Sequence, residues 1–201
     1  MQNNLMKKIL LSQVWFFLSV ACYAQWSYKD SIQNYLKNYV DSHEVAKGED
    51  RKHLHFFDVD PKYRVVAKFE KVQTAQWFEM PTSGKIKKVF KQYGVLSFTI
   101  NDTLVKMNLY QSQGLMGTDQ YKNYLFLPFT DATSGLETYE SGRYIDLLTT
   151  DIKNGEVVVD FNKAYNPYCA YVSGVYNCPV PPKENHLKVA IRAGEKSYSK
   201  H

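Results

Sequence analysis

The chain has 201 residues and a formal net charge of +5 at pH 7. Its lysines are scattered rather than clustered, so the charge gives no footprint for nucleic acid and we expect no such partner. The 16 tyrosines and 11 phenylalanines are the strongest bias in composition, and aromatic side chains favour β-structure.

The N-terminus has the pattern of a secretory signal peptide. Two lysines precede the mostly apolar residues 9–21, and Ala24 is a small residue suited to cleavage after it. We therefore expect residues 1–24 to be removed and the protein to be exported, to the periplasm or the extracellular space. Alternatively, Cys22 is acylated and tethers the protein to a membrane as a lipoprotein. After residue 24 no apolar run is long enough to form a transmembrane segment.

Residues 25–201 are about the length of one domain, and we expect a single β-rich domain with an N-terminal helix. Spacings of four, three and one place six apolar or aromatic residues on one face of that helix, which should end near Ser42. These six are Tyr28, Ile32, Tyr35, Leu36, Tyr39 and Val40. Period-two patterns and turn residues then predict strands at residues 63–69, 77–80, 88–93, 124–129 and 187–191.

Two hairpins are predicted from turn residues between alternating arms. The first spans residues 95–111, with its turn at residues 101–103. The second turns at Asn154 and Gly155, with residues 143–152 and 156–161 as its arms. Short strands joined by short polar turns predict an α+β, β-rich fold, a curled or barrel-like and mostly antiparallel sheet with an N-terminal helix.

Two long polar segments carry the most distinctive sequence. They contain DATSGLETYESGRY at residues 131–144 and DFNKAYNPYCAY at residues 160–171, and the second continues into CPVPPKENHL at residues 178–187. These motifs, together with the closing AIRAGEK at residues 190–196, resemble the uncharacterised prokaryotic family called domain of unknown function 1684. The resemblance implies membership of that family and brings no established activity with it.

The polar segments have two interpretations from their residues. Asp, Ser and Thr side chains could bond local backbone groups while Arg143 pairs with a carboxylate such as Asp160 or Glu137. Alternatively, Arg143 and its neighbours face a cleft between segments 131–144 and 160–185 and bind a small polar or anionic ligand. The candidate ligand-binding residues are Asp131, Ser134, Glu137, Thr138, Tyr139, Arg143, Asp160, Asn162, Asn166 and Glu184.

Two other functional classes stay open. A hydrolase of an envelope saccharide or ester would need a carboxylate pair, or Ser134 beside His186, but no G-x-S-x-G motif surrounds that serine. A structural or interaction protein would instead show an exposed apolar patch. The sequence contains no phosphate-loop motif, and we predict no cofactor.

The two cysteines after the signal peptide, Cys169 and Cys178, are an even pair in an exported chain. An oxidising compartment favours a disulfide between them. The alternative is a metal site that adds His186, although the spacing matches no zinc motif. We predict the disulfide and no metal.

Overall fold

A computed structural model describes residues 28–200 of the chain. The N-terminal helix α1 covers residues 28–42. Ile32 on its inner face is buried, and the hydroxyl of Ser42 donates to the carbonyl of Asn38 at 2.7 Å where the helix ends. The predicted signal peptide, including Cys22, lies outside the described residues. Among the residues described, no helix is long and apolar enough to cross a membrane.

Seven strands follow α1 and form one sheet. They are β1 (Arg64–Lys71), β2 (Trp77–Met80), β3 (Lys88–Ile100), β4 (Thr103–Ser112), β5 (Tyr124–Phe129), β6 (Arg143–Leu148) and β7 (Glu156–Asp160). The strand order is β6-β5-β4-β3-β1-β7, and β2 pairs with β3 outside this path. Every pair is antiparallel. A short helix α2 (Gln113–Met116) follows β4. The expected β-rich α+β fold, with a curled antiparallel sheet and an N-terminal helix, is confirmed.

The predicted β3–β4 hairpin is present, although its turn is one residue shorter than expected because Thr103 already pairs with Ile100. Leu96 lies opposite Met107 and Phe98 opposite Val105. The turn residues Asn101 and Asp102 have φ angles of 47° and 57°, as a two-residue type I′ turn requires. The alternating apolar residues of both strands therefore lie on one face of the sheet and enter the main core.

An irregularity in the pairing between Gln92 and Gly94 changes the face of the sheet to which the apolar side chains of β3 point. Beyond it, Leu96 and its even-numbered neighbours point into the main core, whereas before it Phe90 lies on the opposite face. A Cβ on Gly94 would lie only 2.2 Å from the ring of Phe69 on β1. Glycine is therefore required at this point of close contact between β3 and β1. One strand can thus contribute to two apolar clusters.

The second cluster lies on the face opposite the main core. It contains Met80, Phe90, Tyr110, Phe126 and Tyr144, which come from five different strands. We call this surface the second face. Strand β5 is buried on both sides because the main core covers one side and this cluster the other, whereas Asp146 and Leu148 on β6 stay exposed.

Two predicted elements differ from the structure. Asn154 and Gly155 form a turn with positive φ, but the strand after it (β7) pairs with β1 rather than with β6. Residues 187–191 form no strand; Leu187 and Ile191 are instead buried in the main core. The apolar pattern of that segment therefore reflects its packing into the core, and its backbone makes isolated hydrogen bonds such as that from Leu187 N–H to the Thr130 carbonyl at 2.8 Å.

Candidate functional site

A pocket of about 920 Å³ lies on the second face, near its β5–β6 side. The sheet forms its floor, and α1 with residues 165–179 forms its walls. Its lining is dominated by nine aromatic side chains, which are Tyr35, Tyr39, Phe90, Tyr124, Phe126, Tyr144, Tyr165, Tyr168 and Tyr176. The volume is in the range that holds a drug-sized molecule.

The floor is a row of packed rings. The rings of Phe126 and Tyr144 meet edge to face with centroids 4.7 Å apart, and those of Phe90 and Phe126 stack at 5.4 Å. These residues share a face because side chains that lie opposite each other, or two residues apart, on paired strands point to the same side of the sheet. Ring packing of this kind fixes the floor without help from a ligand.

The wall formed by residues 165–179 is attached to the sheet by backbone and side-chain hydrogen bonds, and a disulfide within the wall closes it on itself. Backbone bonds of 2.9 and 3.0 Å join Tyr144 and Tyr165 in both directions. The hydroxyl of Tyr144 donates to the carbonyl of Pro179. A disulfide joins Cys169 to Cys178, with Cα atoms 6.3 Å apart, as the sequence predicts. Because both sulfurs are used in this bond, the alternative metal site with His186 has no cysteine thiolate to supply.

Asp146 on β6 is the carboxylate in the pocket lining. Its Oδ1 accepts hydrogen bonds from the hydroxyls of Tyr124 and Tyr165, at 2.5 and 2.8 Å. Its side chain reaches solvent through the pocket, yet protein atoms surround it on the other sides, and this burial raises the pKa of its carboxyl. Among residues 28–200, no lysine, arginine or histidine forms an ion pair with it, and Oδ2 accepts no hydrogen bond.

Lys88 is the cation in the pocket lining. Burial lowers the pKa of its ammonium group, and it forms no ion pair within the described part of the chain. Lys88 is on β3 and Asp146 on β6, so three strand spacings, about 14 Å, separate the two backbones across the sheet. Lys88 and Asp146 therefore line different sides of the pocket.

A buried carboxylate lies behind the wall. Glu195 is 0% exposed, and its carboxyl accepts hydrogen bonds from the hydroxyl of Tyr171 at 2.8 Å and from the backbone N–H of Asn166 at 2.8 Å. Tyr39, which lines the pocket, also donates to it at 3.1 Å. Burial raises the pKa of Glu195 to about 7. Helix α1 is therefore attached to the body through an ionisable group.

The structure places Arg143 and Asp131, two predicted ligand-binding residues, together in a buried layer. Arg143 is 1% exposed, and its guanidinium contacts Asp131 Oδ1 at 3.3 Å. It also donates to the carbonyls of Ile191, Ala193 and Glu195. The other carboxylate oxygen of Asp131 accepts from the backbone N–H of Ile191 at 2.6 Å. This pair holds the closing segment of the chain against β6.

The rest of segment 131–144 makes local contacts. Ser134 bonds both the backbone N–H and the carboxylate of Asp131, and the Thr138 hydroxyl bonds that of Thr133 at 3.0 Å. Tyr139 is half-buried, and its carbonyl accepts from Gly142 at 3.1 Å. Glu137 pairs with Arg192 on the surface at 2.9 Å, a partner different from the Arg143 expected. The Ser134 hydroxyl bonds Asp131 and the His186 ring bonds Thr130, so their hydrogen bonds do not join them as a nucleophile and a base.

The candidates in segment 160–185 support the fold in a similar way. Asp160 accepts from Tyr28 on α1 at 3.0 Å, and the Asn162 amide bonds both backbone groups of Asp60 at 3.0 Å. The Asn166 amide donates to the carbonyl of Lys196 at 2.8 Å. Glu184 is exposed. None of the ten candidate residues is among the described residues that line the pocket.

Most of the residues that line the pocket could not be identified from the sequence. Tyr144 and Tyr165 lie in the polar motifs, but nothing in the sequence shows that one belongs to the floor and the other to the wall of the same pocket. Asp146 had a signal, because it is a carboxylate inside the otherwise apolar run Tyr144–Leu148. A charged residue between buried neighbours on a strand indicates either a salt bridge or a site.

Comparison with known proteins agrees with this fold. The chain is similar to an uncharacterized protein of Haloarcula marismortui whose structure was solved by NMR in solution. The two are 30% identical over 89% of this chain and 97% of that one, with a TM-score of 0.66. No curated protein matches the chain. The profile of a family described as a protein of unknown function, DUF1684, matches residues 49–196. The chain therefore belongs to the DUF1684 family.

Proposed function

We propose that this protein is an exported ligand-binding domain and that its ligand is a small molecule held in the aromatic pocket. The observation that carries the proposal is the pocket itself, about 920 Å³ lined by nine aromatic side chains, with one carboxylate that has no cationic partner among the described residues. A monomeric protein seldom leaves so many aromatic rings around open space without a ligand to cover them.

The pocket supports a different ligand from the one that the sequence suggested. Its floor does include Tyr144, and its wall of residues 165–179 also comes from the polar segments. However, Arg143 is 1% exposed and its terminal nitrogens are bonded to backbone carbonyls and Asp131, so it offers no charge to a ligand. A lining that contains nine aromatic side chains favours a molecule with an apolar or aromatic body and few polar groups.

The composition of the lining favours binding over hydrolysis. The described lining contains no histidine, and its cysteine, Cys178, is used in the disulfide. Ser112 is the serine of the described lining, and no hydrogen bond joins its hydroxyl to a base among residues 28–200. Export is supported by the disulfide, since such bonds persist in oxidising compartments.

Titration of ¹⁵N-labelled protein with 4-ethylphenol, a neutral aromatic probe, tests the proposal. We expect saturable shifts of the backbone amides on the floor and wall, at Phe126, Tyr144 and Tyr165. The amides of Asn101 and Asp102, at the far end of the β3–β4 hairpin, serve as the internal control and should not move. An absence of shifts, or shifts scattered over the surface, would refute the pocket as a binding site.

A further inference from the structure

We propose that the ligand carries a protonated amine and that Asp146 binds it, while the apolar body of the ligand lies on the ring floor. This inference rests on the proposed function and adds the chemical class of the ligand. The juxtaposition that carries it is a carboxylate with one unoccupied oxygen at the edge of an aromatic pocket.

The carboxylate of Asp146 is held in one orientation. Both tyrosine hydroxyls donate to the same oxygen, Oδ1, so they fix the group while Oδ2 accepts no hydrogen bond from any residue of 28–200. An ammonium group supplies three donors and a full positive charge, which suits an acceptor of this kind. Tyr124 and Tyr165 thus act as positioning residues for Asp146.

The environment around Asp146 also favours a cation. Asp146 is open to the pocket, and no arginine, lysine or histidine of the described chain pairs with it, so a cation that enters the pocket meets an unpaired carboxylate. Aromatic rings attract cations through the negative face of the ring. Tyr124 and Tyr165 both donate to Asp146, and the rings of Tyr144 and Tyr165 have centroids 5.8 Å apart. A bound amine would therefore be stabilised by the carboxylate and by the rings together.

Other ligand chemistries fit less well. An anion would be repelled by Asp146, and Lys88 belongs to a strand about 14 Å away across the sheet. A metal ion needs several oxygen, nitrogen or sulfur ligands, and residues 28–200 contain no group of three or more such acidic, histidine or cysteine side chains.

Three probes that share a phenol body but differ in charge test whether charge, rather than shape, determines the affinity for the pocket. They are tyramine, which is cationic, 4-ethylphenol, which is neutral, and 3-(4-hydroxyphenyl)propionate, which is anionic. We expect tyramine to bind at least about tenfold more tightly than 4-ethylphenol, because a charge-assisted bond is added. The anionic probe should bind most weakly. Dissociation constants come from the amide shifts or from calorimetry.

Matched variants assign the effect to one carboxylate. Asp146→Asn should remove the preference for tyramine and leave binding of 4-ethylphenol within about twofold. Asp102→Asn removes the same charge at the far end of the β3–β4 hairpin, where φ is 57° and asparagine is tolerated, and should keep the preference. Equal binding of tyramine and 4-ethylphenol to the wild type would overturn the amine inference alone. Binding of none of the three probes would overturn the proposed function as well.

Discussion

The buried carboxyl of Glu195 should make the stability of this protein depend on pH. Burial raises its pKa from the ordinary 4.5 to about 7 in the folded chain. The native state therefore holds this proton over a range where the unfolded chain has released it. The contribution to stability is fully present below pH 4.5 and is lost as the pH rises through about 7. At about 1.4 kcal/mol per pKa unit, the loss is about 3 kcal/mol.

The variant Glu195→Gln isolates this effect. Glutamine keeps the size of the side chain and cannot ionise, so the variant should lack this part of the pH dependence. Urea unfolding of both proteins at about pH 4.5 and about pH 7.5 gives the free energies of unfolding. All other groups titrate in both proteins, and their effects cancel in the difference. We expect the wild type to lose about 3 kcal/mol more than the variant across this range.

A second variant, at an exposed glutamate, serves as the control. Glu156→Gln removes the same formal charge from an exposed position on β7 and tests whether net charge alone matters. If the free energies of wild type and Glu195→Gln ran parallel with pH, Glu195 would not be held protonated by burial. The account of the link between α1 and Glu195 would then be wrong.

Three further predictions concern the structural residues. Arg143→Met leaves a buried carboxylate and three backbone carbonyls without their donor, and should cost at least about 3–5 kcal/mol in urea unfolding; a loss below about 1 kcal/mol would contradict the buried layer. Breaking the Cys169–Cys178 disulfide should cost about 3 kcal/mol, checked by melting with and without reductant, and an unchanged melting temperature would count against it. Gly142→Ala places a Cβ 2.5 Å from the carbonyl of Phe129, whereas Gly174→Ala, also at positive φ, meets open space. The first should destabilise far more than the second in thermal melts, and equal losses would refute the steric argument.

Local structure could be predicted from the sequence where the residues that determine it lie close together along the chain. The β3–β4 hairpin shows this, because its alternating arms and its Asn101–Asp102 turn are adjacent in sequence and specify the register. Helix α1 and β5 were predicted for the same reason. The pairing of β7 with β1 was not predicted, since the Asn154–Gly155 turn fixes only the turn and not the strand that pairs beyond it.

The site was harder to predict because burial decides what a polar residue does. Arg143 and Asp131 stand in a conspicuous polar motif, yet both are buried and bind the backbone of residues 191–195. The sequence cannot show that this segment, about fifty residues further along, packs against them. Asp146, by contrast, lies in a mostly apolar strand outside the conspicuous motifs. Its partners Tyr124 and Tyr165 contact it from β5 and from the wall, which the sequence does not show.

The most direct test of the central claim is a crystal structure of the protein grown with tyramine. The account predicts the phenol ring against the floor formed by Phe126 and Tyr144, and the ammonium nitrogen at hydrogen-bond distance, about 3 Å, from Oδ2 of Asp146. Tyramine bound on another surface, or bound in the pocket with its amine directed away from Asp146, would contradict it.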